Sequence, residues 1–311
     1  MKSFIKSAFI LLATAFVCVV LPSCGNKAET TPAAPDDEPL LDETIMIRVM
    51  QFNILQATGE TAGHEWATVR KDPCIRMFYD TAPDIVAIQE CRKSQCNDLA
   101  TYLPQYTQIK HPKDNIESNG GQRNVILYKS KILELISWDK YWFSVDGTAN
   151  GDRFGNNSGT TQKLTIYAKF KHKPSGKYFW FYCTHFFASS SLESRGECVK
   201  MSLDRVGKEV PEDGTVFFCG DLNLSYTNDE PRKTLSPIFD YFMWSAKEAP
   251  NTSGTARPTY NKFGASTNVL DYILYRNATP LNYVVVNSPT AYGTDYLSDH
   301  YPIYSDFLLD K

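Results

Sequence analysis

The sequence predicts a layered α/β (α+β) fold, packed sheets covered by helices, and three observations carry that reading. Short β-rich apolar runs recur along most of the chain. Stretches with helical spacing lie between several of them, and neither a repeat nor a second low-complexity tract divides the length from residue 45 to residue 311. At roughly 150 residues per domain a chain of this size suggests two domains, but layered α/β units often reach about 250 residues as one. Residues 45–311 are therefore read as a single domain.

The elements follow in order. Ile45–Phe52 (IMIRVMQF) alternates as a strand and delivers Asn53 at its end. Helical spacing covers residues 65–80. The β-type run Asp84–Gln89 (DIVAIQ) delivers Glu90, and a second helix is expected over 93–103. Asn124–Tyr128 and Leu164–Phe170 read as further strands. Tyr178–Thr184 (YFWFYCT) delivers His185; after a helix over 191–207, Thr215–Gly220 (TVFFCG) delivers Asp221 and Asn223. A last helix is expected over 231–246. Asn268–Tyr275 holds Asp271 within its apolar stretch, and Ser298-Asp299-His300 immediately precedes the final strand, Tyr301–Leu308. Polar residues at strand ends are where loops gather and where sites rest on rigid elements. Their repetition is the chief functional signal in this sequence.

Upstream of the domain lies an address. Lys2 and Lys6 precede an almost unbroken apolar run from Ala8 to Leu21, too short to span a membrane as a helix of about 20 residues. The run ends Leu21-Pro22-Ser23-Cys24-Gly25, which resembles a bacterial lipobox and implies cleavage after residue 23 with lipid attached at Cys24. Residues 24–44 are rich in proline, alanine and acids, a composition that suits a flexible tether. The expectation is an exported monomer, lipid-anchored to a bacterial envelope membrane and either periplasmic or at the cell surface.

Composition excludes more than it identifies. With 42% hydrophobic and 22% charged residues the chain is neither disordered, collagen-like nor a coiled coil. The formal net charge of −3 moves to about −5 once Lys2 and Lys6 are removed, so bulk charge offers no grip on nucleic acid. Six cysteines remain in the domain: Cys74, Cys91, Cys96, Cys183, Cys198 and Cys219. An exported chain can oxidise them in any of fifteen pairings, while the lack of Cys-x-x-Cys spacing argues against a structural zinc site. Cys183 and Cys219 lie in apolar runs, where a buried free thiol is the ordinary outcome.

The strand-end residues form an ordered set: Gln51-Phe52-Asn53, Ile88-Gln89-Glu90, Asn124–Tyr128, Thr184-His185, Gly220-Asp221-Leu222-Asn223, Leu270-Asp271-Tyr272-Ile273 and Ser298-Asp299-His300. Each alone is weak, since an Asp-x-Asn after a strand is more often a turn. Together, in this order across residues 53–300, the chain resembles the endonuclease/exonuclease/phosphatase superfamily. Tyr141-Trp142-Phe143-Ser144 is similar to an aromatic-Trp-Leu-Ser segment of bacterial members. The resemblance implies a four-layer α/β/β/α sandwich, two packed and mainly antiparallel sheets flanked by helices. It also implies a phosphoesterase dependent on Mg²⁺ or Mn²⁺.

Phosphodiesters resist hydrolysis because their oxygens repel a nucleophile and the alkoxide leaves poorly; a hard divalent ion with oxygen ligands meets both difficulties. On the resemblance, Glu90 is the principal metal ligand, with Asn53 beside it and Asp299 as a further metal-site carboxylate. Asp221 and Asn223 orient water and a phosphoryl oxygen. Asp271 orients His300, which acts as base or as an electrostatic clamp, and His185 is the second phosphate-facing imidazole. Gln122, Asn124, Arg153 and Arg257 are candidate substrate contacts, and Trp138, Tyr141, Trp142 and Phe154 could stack on a base or sugar, although Trp142 suits the core equally. His64, His111 and His172 are expected at the surface.

Two departures stand out. Many relatives carry a glutamate that supports the strand-end histidine where this chain has Gln122, and Phe186-Phe187 replaces Leu-Asp after Thr-His. The leading expectation is a metal-dependent phosphoesterase acting on a small molecule, a lipid headgroup or nucleic acid. An exported nuclease for DNA or RNA is the alternative within that class. A catalytically inactive phosphate-ligand-binding lipoprotein, or a structural surface protein whose candidate residues lie far apart, are the alternatives outside it.

Overall fold

The computed structural model describes residues 45–58, 60–112, 121–155, 162–188, 191–251 and 257–309. Cys24 and the expected leader and tether lie outside them. Asp42–Lys311 forms one compact unit.

Two sheets face each other. The first is built from β1 (Met46–Asn53), β2 (Ile85–Cys91), β3 (Thr107–Pro112), β4 (Arg123–Tyr128), β11 (Thr279–Pro280), β12 (Val284–Val285) and β13 (Ile303–Leu308). Its order is β11-β13-β1-β2-β4-β3, with β12 also paired to β13. The second, in the order β5-β6-β7-β8-β10-β9, comprises β5 (Leu133–Trp142), β6 (Leu164–His172), β7 (Tyr178–His185), β8 (Thr215–Asp221), β9 (Met243–Trp244) and β10 (Asp271–Arg276). Both sheets are antiparallel except for one pair each, β1 with β2 and β7 with β8. A parallel pair needs a crossover, and each crossover carries a helix: α1 (Lys71–Thr81) between β1 and β2, α3 (Leu192–Glu209) between β7 and β8. With α2 (Lys93–Tyr102) on the side of the first sheet and α4 (Asp229–Tyr241) on that of the second, the expected two-sheet sandwich with flanking helices is what the chain adopts.

Strand periodicity sorts side chains between the layers. In β2, Ile85 and Ala87 enter the core shared with the second sheet, whereas Val86 and Ile88 enter the core beneath α1 and α2. Burial on both faces is why such strands read as continuous apolar runs. On β7, Phe179, Phe181 and Cys183 occupy the inter-sheet face, and His185 continues the same parity. Ile47 and Val49 of β1 do likewise, followed by Gln51 and Asn53.

The differences from expectation have local causes. The helix expected over 65–80 begins as a π-helical turn, Trp66–Arg70. The one expected over 231–246 stops at Tyr241, because Phe242 is extended and Met243–Trp244 pairs with β10, followed by the short α5 (Ser245–Glu248). Trp244 is buried against Phe239 and Tyr272, and that packing overrides helical propensity. β5 was not foreseen, since an edge strand with a mostly exposed middle has no apolar run to read. His172, expected at the surface, is buried in β6 with Nδ1 2.8 Å from Ser175 Oγ. Tyr141 and Trp142 belong to the main core, while Trp138 is exposed.

Candidate active site

At one end of the inter-sheet core the apolar side chains give way to polar ones. The C-terminal ends of both parallel pairs meet there: β1 presents Asn53, β2 Glu90, β7 His185 and β8 Asp221. Asp271, at the start of the antiparallel β10, lies in register with Asp221. Approach of β8 to β7 requires glycine at 220, since a Cβ there would lie 2.4 Å from the Thr184 carbonyl oxygen.

Asp221 Oδ2 is the hub. Asn53 Nδ2 donates to it at 3.0 Å, His185 Nε2 lies 3.5 Å away and His300 Nε2 3.8 Å. His300 Nδ1 is 2.8 Å from Asp271 Oδ2, and Gln51 Nε2 donates to the other Asp271 oxygen at 3.2 Å. Gln51 and Gln89 in turn exchange side-chain amide hydrogen bonds within the first sheet. Thr259 Oγ1 accepts from the backbone of Asp271, and the Tyr260 ring lies 4.8 Å from that of His300. Ser298 Oγ donates to the Asn53 carbonyl at 2.7 Å, tying the Ser298–His300 segment to the end of β1.

Glu90 reaches this cluster through a bulge. Strict alternation would send it towards α1 and α2 with Val86 and Ile88. Instead the register with β4 slips between Ile88 and Cys91, and Glu90 adopts a left-handed φ of 64°. Its Oε1 then stands 3.9 Å from His185 Nε2. Such a conformation costs about 1–3 kcal/mol in a non-glycine residue, the kind of strain that clusters at functional positions.

Burial dominates the electrostatics. It pushes the Asp221 carboxyl up to about 6, with His300 opposing and Asp271 reinforcing the shift. Asp299 is pushed up by burial as well, opposed by His300 and increased by the charge of Glu90. For His300, burial favours the neutral ring, but the carboxylates of Asp271 and Asp221 overcome it and raise the imidazole to about 10. Crowded carboxylates of this kind favour a cation.

The donor set suits a hard divalent ion. Among the described residues no group of three or more His, Cys, Asp or Glu side chains forms a ready metal cage. Mg²⁺ does not need one, being held through one or two carboxylates with water and phosphate oxygens completing its shell. Glu90 and Asp299 fit that role. Asn53 accepts from Leu55 N through Oδ1 and donates to Asp221.

Other candidates sit differently. Asn223 has a left-handed φ of 49°, its N–H donates to Asp221 Oδ1 at 3.0 Å, and its amide donates to the Phe186 carbonyl at 3.1 Å. Asn124 is fully buried and donates across the sandwich to the Leu164 and Cys183 carbonyls at 2.8 and 3.3 Å, a tie between sheets. Gln122 is half-buried just before β4. Arg153 is half-buried on the loop between β5 and β6, and Arg257 is exposed two residues before Thr259.

Sequence reasoning missed Lys163. It is buried, and Nζ lies 2.7 Å from His185 Nε2. An ammonium has only donors, so Nε2 accepts from it. A lysine at the head of an apolar strand carries no signal of this; only the β6–β7 pairing brings it to the histidine. A cation therefore stands against the face of His185 that is turned towards Asp221 and Glu90.

The Endonuclease/Exonuclease/phosphatase family model matches residues 50–300. An uncharacterised protein of Acanthamoeba polyphaga mimivirus is 24% identical over 184 residues, 57% of this chain and 67% of that one. An endonuclease/exonuclease/phosphatase from Bacteroides vulgatus superposes with a TM-score of 0.73 at 22% identity, over 85% of this chain and 99% of its own. A mannosyl-6-phosphatase from Bacteroides thetaiotaomicron gives 0.72 at 20% identity, over 84% and 99%. The human nocturnin catalytic domain with bound sulfate gives 0.64 at 20%, over 84% and 93%. At these identities the structural likeness is one of fold.

Proposed function

Because the chain belongs to the endonuclease/exonuclease/phosphatase family, whose members hydrolyse phosphoester bonds, we propose that it is a phosphoesterase using Mg²⁺ or Mn²⁺ held chiefly by Glu90 and Asp299. The observation that carries the reading is convergence: Asn53, Glu90, His185, Asp221, Asp271 and His300, from separate elements, meet in one cluster. That convergence removes the reading as a structural surface protein with scattered residues.

The ion, when bound, would neutralise phosphoryl charge and stabilise the departing oxygen. The chain's own groups do the rest. Asp221 orients the attacking water and takes its proton. Asp271 holds His300 by Nδ1, so Nε2 faces the phosphoryl group as a cationic donor. Asn53 fixes Asp221, and His185 with Lys163 forms the opposite, cationic edge. In support of export, the leader and Cys24 would place the enzyme on a lipid tether at a bacterial envelope membrane, working as a monomer.

The decisive experiment is a substrate panel of sugar phosphates, inositol phosphates, sphingomyelin, DNA and RNA, with Mg²⁺, Mn²⁺ or chelator. Turnover should vanish with chelator and return with either ion. Glu90→Ala should also weaken Mn²⁺ binding at least about tenfold by calorimetry. Turnover in chelator, or unchanged binding in the variant, defeats the assignment; turnover on nucleic acid alone would make the protein a nuclease.

Lys163 favours a phosphomonoester, whose extra negative charge needs an extra cation, and the Bacteroides mannosyl-6-phosphatase is a neighbour of that class. Lys163→Met should lower kcat/KM for monoesters about 10- to 100-fold and for diesters about threefold or less. Equal losses on both would refute the preference.

A further inference from the structure

We propose that Cys91 and Cys96 close into a disulfide that fastens the Glu90 bulge to α2. Their sulfurs stand 2.9 Å apart, so a small rotation at each residue reaches the bonding distance of about 2.05 Å. Cys91 ends β2, one residue beyond Glu90, and Cys96 lies early in α2. Both are buried in the core beneath α1 and α2. Other thiols are engaged elsewhere: Cys74 Sγ faces the Leu297 carbonyl at 3.5 Å and Cys183 Sγ faces that of Ile88 at 3.4 Å.

Closure joins the two sulfurs, releases both thiol protons and passes two electrons to a disulfide donor of the cell envelope, which leaves as a dithiol. Export, as the leader suggests, supplies the oxidising setting.

The position of the link gives it a function. The ladder pairs Ile88 with Val125 and next Cys91 with Arg123, so the extra residue of the bulge falls between Ile88 and Cys91. A left-handed Glu90 relaxes unless its flanks are held. On its far side the first turn of α2 is already anchored, with Gln95 donating to the Leu55 carbonyl at 2.9 Å and accepting from Ala57 N at 3.0 Å. A covalent link from Cys91 to this anchored turn fixes the C-terminal flank of the bulge and hence the aim of Glu90. The bond itself stands independently; its effect on Glu90 rests on the metal role given above.

Mass mapping tests the bond. The full chain is purified from its own cells without reductant, with thiols blocked at lysis, and digested after Arg92 and Lys93. Peptides bearing Cys91 and Cys96 should be joined and lighter by two hydrogens; recovery of both cysteines as blocked thiols would overturn the proposal. A phosphine reductant should then weaken Mn²⁺ binding about three- to tenfold by calorimetry. Unchanged affinity would overturn the fastening role. Absence of Mn²⁺ binding in both forms would overturn the metal reading of Glu90 instead, and the peptide map would still decide the bond.

Discussion

Asp271→Asn should leave the fold and the Mn²⁺ affinity near wild type while lowering phosphoester turnover about 1,000- to 10,000-fold, the scale seen when a histidine loses its orienting carboxylate. The reason lies in how Asp271 is held. Gln51 Nε2 donates to Oδ1, and Oδ2 receives Nδ1 of His300. An amide at this position would keep its oxygen towards Gln51, so its NH₂ would face Nδ1. Two donors cannot share that contact, so Nδ1 must lose its proton and the imidazolium its support. The raised affinity of His300 for its proton, which Asp271 and Asp221 together sustain against burial, should fall. Imidazole NMR would show the earlier loss of the proton, and kinetics with excess metal would show the loss in kcat. Turnover within tenfold of wild type would remove His300 from the cationic role.

Arg70→Met should cost about 3–5 kcal/mol of folding stability, a large part of the roughly 5–15 kcal/mol available to a typical domain. Arg70 is fully buried. Its guanidinium donates to the carbonyls of Ile54 at 2.7 Å, His64 at 2.6 Å, Leu55 at 3.2 Å and Leu297 at 3.3 Å, and pairs with Glu60 at 2.8 Å. Removing the fork takes the charged donor from the Ile54 and His64 carbonyls and the counter-charge from Glu60, whereas the Leu55 carbonyl keeps Gln95 and Glu60 keeps the Trp66 N–H. Arg70→Lys should recover little, because one ammonium cannot span five directions. Urea denaturation followed by fluorescence measures both variants, and a loss below about 1 kcal/mol for Arg70→Met would show that water replaces the guanidinium. Ile54 follows Asn53 and Leu297 precedes Ser298, so Arg70 also sets the spacing of two segments that supply the site.

What the sequence disclosed was periodicity with an interruption. β2, β7 and β8 were legible because burial on both faces makes continuous apolar runs, β1 because it alternates, and their ends were legible because Asn53, Glu90, His185 and Asp221 break those patterns abruptly. The supports were not. Arg70 lies on a stretch with ordinary helical spacing, Lys163 stands at the head of an apolar run, and Gln51 and Gln89, although inside the quoted motifs, carried no role of their own. Lys163, Gln51 and Gln89 acquire their meaning from residues 22 or more positions away, and Arg70 from carbonyls that only the folded loops gather round it, which local pattern cannot carry. The bulge at Glu90 is of the same kind, since only the ladder with β4 reveals the extra residue.

The facing parallel pairs make the molecule a joint between two βαβ units. One unit contributes Asn53 and Glu90, the latter the proposed ligand of the ion; the other contributes His185 and Asp221, the proposed handlers of the phosphoryl charge and the proton. Neither half owns a reaction. Their chemistry exists only along the seam, and a ligand lodged there acts as a rivet through both plates. Occupancy should therefore tighten the whole sandwich instead of a single loop, turning substrate supply into protection of the enzyme against unfolding.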